Sequence, residues 1–214
     1  MNDKITTGLP SSYEGLLQKC KEIGFTMPSD LYIGSFLKTL ICSKPNSNFL
    51  ELGTGIGLSL SWMIEGMDLN SKIYSVDNDP QLIEIANDFF AQDNRVHLIC
   101  EDGSKWIKNY SGELFNLIFA DAWPGKYSDL ELTLELLKPG GYYVIDDMLS
   151  QPNWPDGHQE LVNELINDLE KRKDLQLTKM KELVNELINN RVITNNIKLT
   201  KMNWSTGIIM VVKK

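Results

Sequence analysis

The feature that most constrains the fold is a short apolar run that ends in three closely spaced glycines. Residues 49–59 read Phe-Leu-Glu-Leu-Gly-Thr-Gly-Ile-Gly-Leu-Ser. An apolar run that breaks into glycines and then resumes predicts a buried strand, a tight turn and a helix. Glycine lets the backbone approach a ligand, and the free N–H groups at a helix start bind polar or anionic groups. The segment therefore predicts a strand–turn–helix unit that opens onto a small ligand.

The glycine spacing is close to the dinucleotide-binding fingerprint but is not the same. Gly53, Gly55 and Gly57 alternate with other residues, whereas the third glycine of the fingerprint falls one residue later. A tight turn without a ligand is the alternative. Glu51 adds information because a carboxylate inside an apolar strand is costly to bury unless another group pairs with it.

Strands and helices alternate after this unit. Strands are predicted at residues 72–76, 96–100, 114–120 and 142–145, each separated from the next by a helical pattern. Such alternation predicts right-handed crossovers and a doubly wound α/β sheet. Two further helices are predicted before residue 45, with Ser12 and Ser29 as their N-caps and Gly24 as the stop of the first.

Acidic residues follow the predicted strands at the point where each strand ends. Ligands of doubly wound sheets bind beyond these carboxyl ends. Asp79 precedes Pro80 and is predicted to cap the next helix, which leaves Asp77 free for a ligand. We therefore expect one crevice to collect the glycine turn and the strand-end acids, which are Asp77, Asp102, Asp121, Asp146 and Asp147.

The length of 214 residues suits one domain. Residues 1–45 are predicted to form a helical cap that belongs to this domain, and residues 46–214 to form its main part. Residues 160–203 contain a tandem duplication of a helix–strand unit. Two blocks recur at one offset: Glu160 to Asn167 as Glu182 to Asn189, and Leu177 to Met180 as Leu199 to Met202.

We expect the copy nearer the C-terminus to pair with the last strand, residues 208–212. The other copy would extend the helical layer or a sheet edge. The apolar faces of the two repeated helices could also serve a homodimer.

The charge balance excludes some partners. A net charge of −8 argues against nucleic acid, because binding phosphates requires clustered Lys and Arg. A small-molecule partner is easier to host. Three widely spaced cysteines predict neither a disulfide framework nor a zinc site. No apolar run is long enough for a membrane span, and no export signal is visible, so the cytoplasm is the expected location.

Several of these segments together resemble the class I S-adenosylmethionine-dependent methyltransferases, and more narrowly the O-methyltransferases of the catechol and caffeoyl-CoA type. The resemblance runs from about Met27 to the C-terminus. Its strongest pieces are residues 50–59, residues 115–123 with Tyr127, residues 140–147, and the final stretch 204–208. It implies a Rossmann-like, doubly wound, seven-stranded sheet that is mostly parallel with an antiparallel last strand. It also implies S-adenosylmethionine as cofactor and O-methylation of a small hydroxylated molecule.

The resemblance implies a set of cofactor-binding residues along the strand ends. Asp77 would bind the ribose hydroxyls, Trp123 would pack on the adenine face, and the glycine turn would hold the methionine end. The full set is Glu51, Gly53, Thr54, Gly55, Ser59, Asp77, Asp102, Gly103, Ser104, Asp121 and Trp123.

The resemblance also implies a metal site and a base. Asp121, Asp146 and Asp147 stand where the family commonly holds a metal, and hard oxygen ligands suit Mg²⁺. The sequence departs from the family twice: Asp147 replaces an asparagine, and Pro124 stands where a catalytic lysine is usual, with Lys126 two positions later. His158 is a candidate base because its ordinary pKa suits proton transfer near neutrality, and Asp147 is the other catalytic candidate.

Two other classes of function stay open. One is a methyltransferase that acts on nitrogen or on a protein. The other is a non-catalytic Rossmann protein that binds a nucleoside or NAD. The glycine spacing and the extra acid Asp102 count against NAD.

Overall fold

The computed structural model describes residues 8–150, 154–172, 175–180 and 207–213. Within these ranges seven strands form one sheet. They are β1 (Asn48–Leu52), β2 (Lys72–Asp77), β3 (Val96–Cys100), β4 (Phe115–Ala120), β5 (Leu137–Ile145), β6 (Leu175–Met180) and β7 (Ile208–Lys213).

Helices alternate with the strands and cover the sheet. They are α1 (Tyr13–Ile23), α2 (Leu31–Cys42), α3 (Leu58–Gly66), α4 (Pro80–Phe90), α5 (Gly103–Asn109), α6 (Leu130–Glu135) and α7 (His158–Lys171). Among the described helices, none combines the length and the apolarity that crossing a bilayer requires.

The strand order across the sheet is β3-β2-β1-β4-β5-β7-β6. Strands β1 to β5 pair in parallel, and β7 runs antiparallel to both β5 and β6. The predicted fold, a mostly parallel doubly wound sheet with an antiparallel last strand, is confirmed. The order reverses between β1 and β4, so the crevice for a ligand is expected beyond the carboxyl ends of these two strands.

Two local predictions need correction. Asp30, not Ser29, caps α2: its carboxylate accepts hydrogen bonds from the backbone N–H groups of Tyr32 and Ile33. The strand predicted at residues 142–145 begins earlier and also includes the Lys-Pro-Gly-Gly segment of residues 138–141. This segment lies inside β5, where the register against β4 shifts, because a bulge absorbs the extra residues that a regular ladder could not pair.

The first copy of the duplication supplies both a helix and the edge strand. Residues 160–167 lie in α7, and residues 177–180 lie in β6, which pairs with β7. The expectation that the copy nearer the terminus pairs with β7 is therefore wrong. The two edges of β7 are already occupied by β5 and β6. The second copy, at residues 182–202, lies outside the described residues.

Apolar residues form one layer on each face of the sheet. One cluster joins the N-terminal helices to β1, and Leu16, Leu37 and Ile41 are buried in it with Phe49. The other cluster packs α7 against β4 and β5 through Val162, Leu165 and Leu169. The N-terminal helices thus share a core with the sheet, as the predicted helical cap requires.

Candidate functional site

The turn after β1 is closed by a glycine that no other residue could replace without a shift. Gly53 has a φ of +99°, and a Cβ there would lie 2.7 Å from the backbone oxygen of Asp121. Its N–H donates to the backbone oxygen of Val76 at 2.9 Å. The glycine therefore lets the ends of β1, β2 and β4 converge at one point.

Two adjoining cavities open at this point. The first, of about 350 Å³, lies between the ends of β1 and β2 and the start of α5. The second, of about 710 Å³, extends from the glycine turn to residues 154–158 and is also lined by residues 25–29. Both share Gly53, Asp77 and Trp123, so they form one continuous crevice, which we call the strand-end crevice.

Nearly all the residues expected at the site line this crevice. Those of the first cavity are Gly53, Asp77, Asp102, Gly103, Ser104 and Trp123. Those of the second are Gly53, Thr54, Gly55, Ser59, Asp77, Asp121, Trp123, Asp146, Asp147 and His158. The sequence thus placed the crevice correctly, while the role of each residue in binding stays a prediction.

Glu51 is the exception, since it does not line either of these cavities. Its side chain is fully buried beneath the turn, where one carboxylate oxygen accepts from Ser59 Oγ and the other from Ser75 Oγ, both at 2.5 Å. Ser75 Oγ also shares a 2.6 Å hydrogen bond with Thr54 Oγ1. Burial raises the pKa of Glu51 to about 7. We interpret Glu51 as a support for Ser59 and Thr54 rather than as a direct ligand contact.

Asp77, at the end of β2, holds the glycine turn as well as facing the crevice. Its Oδ2 accepts from the N–H of Gly55 at 2.9 Å, and its Oδ1 from the N–H of Asp79 at 3.0 Å. The expectation that Asp77 is free of structural bonds is therefore wrong. Each carboxylate oxygen can accept more than one hydrogen bond, so room for a ligand hydroxyl remains. Asp79 caps α4 as expected, accepting from Gln81 and Leu82.

The start of α5 forms the far wall of the first cavity. Asp102 is its N-cap and accepts from the backbone N–H of Lys105 at 2.8 Å. Gly103 follows directly, and a Cβ there would lie 3.1 Å from the ring of Pro124. This close approach narrows the cavity between α5 and the loop after β4. A cavity of this shape suits a flat group.

Two acids from the ends of β4 and β5, Asp121 and Asp147, flank a buried lysine, and Asp146 is their neighbour. Lys126 is 5% exposed, and its Nζ lies 3.8 Å from Asp121 Oδ1 and 3.8 Å from Asp147 Oδ2. Burial raises the pKa of Asp121 well above its ordinary value, and the neighbouring Asp146 and Asp147 raise it further, while Lys126 opposes this. We call these four residues the Lys126 cluster.

The expected metal ligands do not fit a metal in this arrangement. Asp146 Oδ1 accepts from the N–H of Asp147 at 2.8 Å and is buried. Asp147 has a φ of +57°, in the left-handed region, whereas Asp146 does not have a positive φ. In the part of the chain that the structure describes, no three His, Cys, Asp or Glu residues converge as a metal site would need. The positive charge among these acids is supplied by Lys126.

An aromatic group forms the outer wall of the second cavity. The His158 ring stacks on Trp154 at 4.0 Å between centroids, and its Nε2 is 3.0 Å from the Tyr127 hydroxyl. Trp123 packs edge-on against both Tyr127 and His158. Burial lowers the pKa of His158, as does the nearby Lys126, while Asp147 acts in the opposite direction. A neutral imidazole beside the crevice is able to accept a proton.

Sequence reasoning missed two contributors to the site. Ser75 lies in mid-strand, and nothing in its neighbourhood marks it as a partner of Glu51. Trp154 lies in the loop after β5, and no local pattern marks it as the stacking partner of His158. The unpaired acid Glu51 inside an apolar strand was the available signal for a buried partner, but that signal does not say which strand supplies it.

Comparison with known proteins finds similarity in the part of the chain around this crevice. Residues 50–148 match a family described as a methyltransferase domain. Curated relatives from Mycolicibacterium paratuberculosis and Mycobacterium avium, each named "Putative O-methyltransferase", are 28% identical over 118 residues. The match covers 53% of this chain and 53% of each relative, so the chain spans about half the length of the curated relatives that it matches.

Solved structures share the fold over nearly the whole chain. An O-methyltransferase from Bacillus cereus in complex with SAH has a TM-score of 0.76 at 20% identity, covering 98% of this chain and 94% of that one. The O-methyltransferase TomG from Streptomyces achromogenes, in complex with SAM, has a TM-score of 0.77 at 16% identity, covering 98% and 92%. These structures confirm the fold that the predicted resemblance to class I methyltransferases implies.

Proposed function

Since residues 50–148 match a methyltransferase domain family, we propose that this chain transfers a methyl group from S-adenosylmethionine to a hydroxyl oxygen of a small molecule. The observation that carries the proposal is the convergence of the glycine turn, Asp77 and Asp121 on one crevice. Relatives named O-methyltransferase, and similar structures in complex with SAH or SAM, support the same cofactor and acceptor atom.

The two cavities suit the two ends of the cofactor. In the first, Asp102, Gly103 and Ser104 would bind the adenine edge, and the exposed ring of Trp123 would cover its face. Asp77 would accept from the ribose hydroxyls. Gly53, Thr54 and Ser59 would bind the methionine end where the first cavity meets the second.

The acceptor would then occupy the second cavity, between the Lys126 cluster and the aromatic wall. In methyl transfer the acceptor oxygen forms a bond to the methyl carbon while the carbon–sulfur bond breaks. The electron pair of the broken bond stays on sulfur. The hydroxyl proton leaves to a nearby base. His158 and Asp147 are the candidates, because both line this cavity. Most of the acceleration is expected from alignment of oxygen, carbon and sulfur.

Mg²⁺ is not part of the proposal, because two of the three acids expected to bind it, Asp121 and Asp147, pair with the Lys126 ammonium instead. Residues 1–45 and 46–214 are proposed to act as one domain, since the N-terminal helices share the core of the sheet and residues 25–29 line the second cavity. A homodimer stays a prediction.

Calorimetry with SAH tests the proposal without knowledge of the acceptor. We expect SAH to bind at one site per chain, and NAD, which the alternative Rossmann function requires, not to bind. Tight NAD binding with no SAH signal would refute the methyltransferase proposal. A product screen against small phenols, amines and peptides would then separate O-methylation from methylation of nitrogen or protein.

A further inference from the structure

The position of Lys126 in the crevice is fixed by the protein core. Tyr143 is fully buried in β5, and its hydroxyl donates a short hydrogen bond to the backbone oxygen of Gly125. The N–H of Gly125 donates to Ser128 at 2.8 Å, and the N–H of Lys126 donates to Trp123 at 3.2 Å. The loop that carries Lys126 is therefore held from both sides, and Lys126 lines the second cavity.

The ammonium lies close to any position that a metal ion bound to Asp121 Oδ1 or Asp147 Oδ2 could take. A Mg²⁺ ion binds carboxylate oxygens at about 2.1 Å. An ion on either Asp121 Oδ1 or Asp147 Oδ2, each 3.8 Å from Nζ, would lie within about 6 Å of the lysine charge. Two cations at such a separation repel strongly in a partly buried site. The same acids cannot serve both cations well.

The two ion pairs leave the lysine able to bind a third oxygen. Both separations of 3.8 Å exceed the range of an N–H···O hydrogen bond. Lysine has three N–H donors, so these contacts do not use them up. An acceptor oxygen that enters the second cavity can therefore take a hydrogen bond from the ammonium.

We propose that the Lys126 ammonium is the resident cation of the acceptor site, in place of a divalent metal, and that it binds the acceptor oxygen directly. This inference rests on the proposed function. A fixed positive charge at the oxygen stabilises its developing negative charge as the proton leaves. Methyl transfer by this chain is then independent of divalent metal.

Mn²⁺ titration followed by electron paramagnetic resonance tests this, with Mn²⁺ as the probe and SAH bound. We expect the unmodified protein to leave Mn²⁺ in its free form. Lys126→Gln is expected to bind Mn²⁺ about tenfold or more tightly than the unmodified protein, because the competing charge is gone. Lys126→Arg keeps the charge and is expected to exclude Mn²⁺. Lys72→Gln, an exposed lysine at the opposite end of β2, is the matched control.

Tight Mn²⁺ binding by the unmodified protein that Asp147→Ala abolishes would overturn the inference. The Mn²⁺ titration of the unmodified protein and of Asp147→Ala tests the inference even if Lys126→Gln does not fold. The SAH calorimetry tests the proposed function separately, so that failure of that function can be told apart from failure of this inference. Once an acceptor is found, its methylation should proceed equally in chelator and in Mg²⁺, and a rate that vanishes in chelator and returns with Mg²⁺ would also overturn the inference.

Discussion

At the scale of single residues, the buried carboxyl of Glu51 makes stability depend on pH. Its pKa is about 7 in the folded protein, against an ordinary value of 4.5. Between these values the unfolded chain has lost the proton and the folded chain still holds it. The contribution of the Glu51 carboxyl to the free energy of unfolding is therefore at its full value below pH 4.5. It decreases as the pH rises to about 7.

We therefore predict that Glu51→Gln flattens this dependence. Glutamine can still bond with Ser59 and Ser75 but does not titrate. The free energy of unfolding of the unmodified protein, minus that of Glu51→Gln, should fall by about 1 kcal/mol for each pH unit between pH 5 and 7. Urea unfolding at several pH values measures this difference. Parallel curves for the two proteins would contradict the prediction.

A second residue-scale prediction concerns Asp77. Asp77→Asn should weaken SAH binding by about 1–3 kcal/mol, because the ribose hydroxyls and the N–H of Gly55 would lose a charged acceptor. Calorimetry gives the dissociation constant. The control is Asp68→Asn, since Asp68 also accepts from backbone N–H groups in a turn but lies outside the crevice. An unchanged constant for Asp77→Asn would remove this residue from the site.

Residue identities could be predicted where the chemistry is local and not where it is tertiary. Gly53 and Asp77 could be predicted because a strand end and a glycine turn are each recognised from a few neighbouring residues. The pairing of Lys126 with Asp121 and Asp147 was not, because it needs the ends of β4 and β5 to meet. His158 was named as a base, but its aromatic neighbours Trp123 and Tyr127 come from the distant loop after β4.

At the scale of elements, the packing of α2 on α3 leaves no space for a methyl group. A Cβ on Gly34 would lie 2.4 Å from the Trp62 ring, which is buried. Gly34→Ala should therefore destabilise the protein by about 1–3 kcal/mol, although alanine favours helix. Urea unfolding measures the loss, and Thr39→Ala, on the exposed side of the same helix, should change stability little. Equal stability of the two variants would show that α2 does not pack this way.

Elements with strong start and stop residues were predicted well. The start of α4 at Asp79-Pro80 and the end of α1 at Gly24 are as expected. The edge strand was assigned to the wrong copy of the duplication, because two identical patterns have equal propensity for β6. Only the competition for the free edge of β7 decides between them, and that is a property of the assembled sheet.

At the scale of the whole molecule, the crevice draws on parts of the chain far apart in sequence. Its centre lies within residues 50–148, the part matched by the methyltransferase family. The second cavity is nevertheless lined by Phe25 to Ser29 before that part and by Trp154 and His158 after it. Cofactor and acceptor would thus be enclosed by segments whose positions depend on the entire fold.

Hydrogen exchange with and without SAH tests this enclosure. Amides at residues 53–59 and 77–79 should exchange more slowly when SAH is bound, because they contact or support the cofactor. Residues 25–29 and 154–158 should also slow, since the second cavity extends to both, whereas residues 68–71, in the turn before β2, should not change. Slowing confined to residues 50–148 would mean that the flanking segments do not close on the cofactor, and the acceptor would then have to be bound by the central sheet alone.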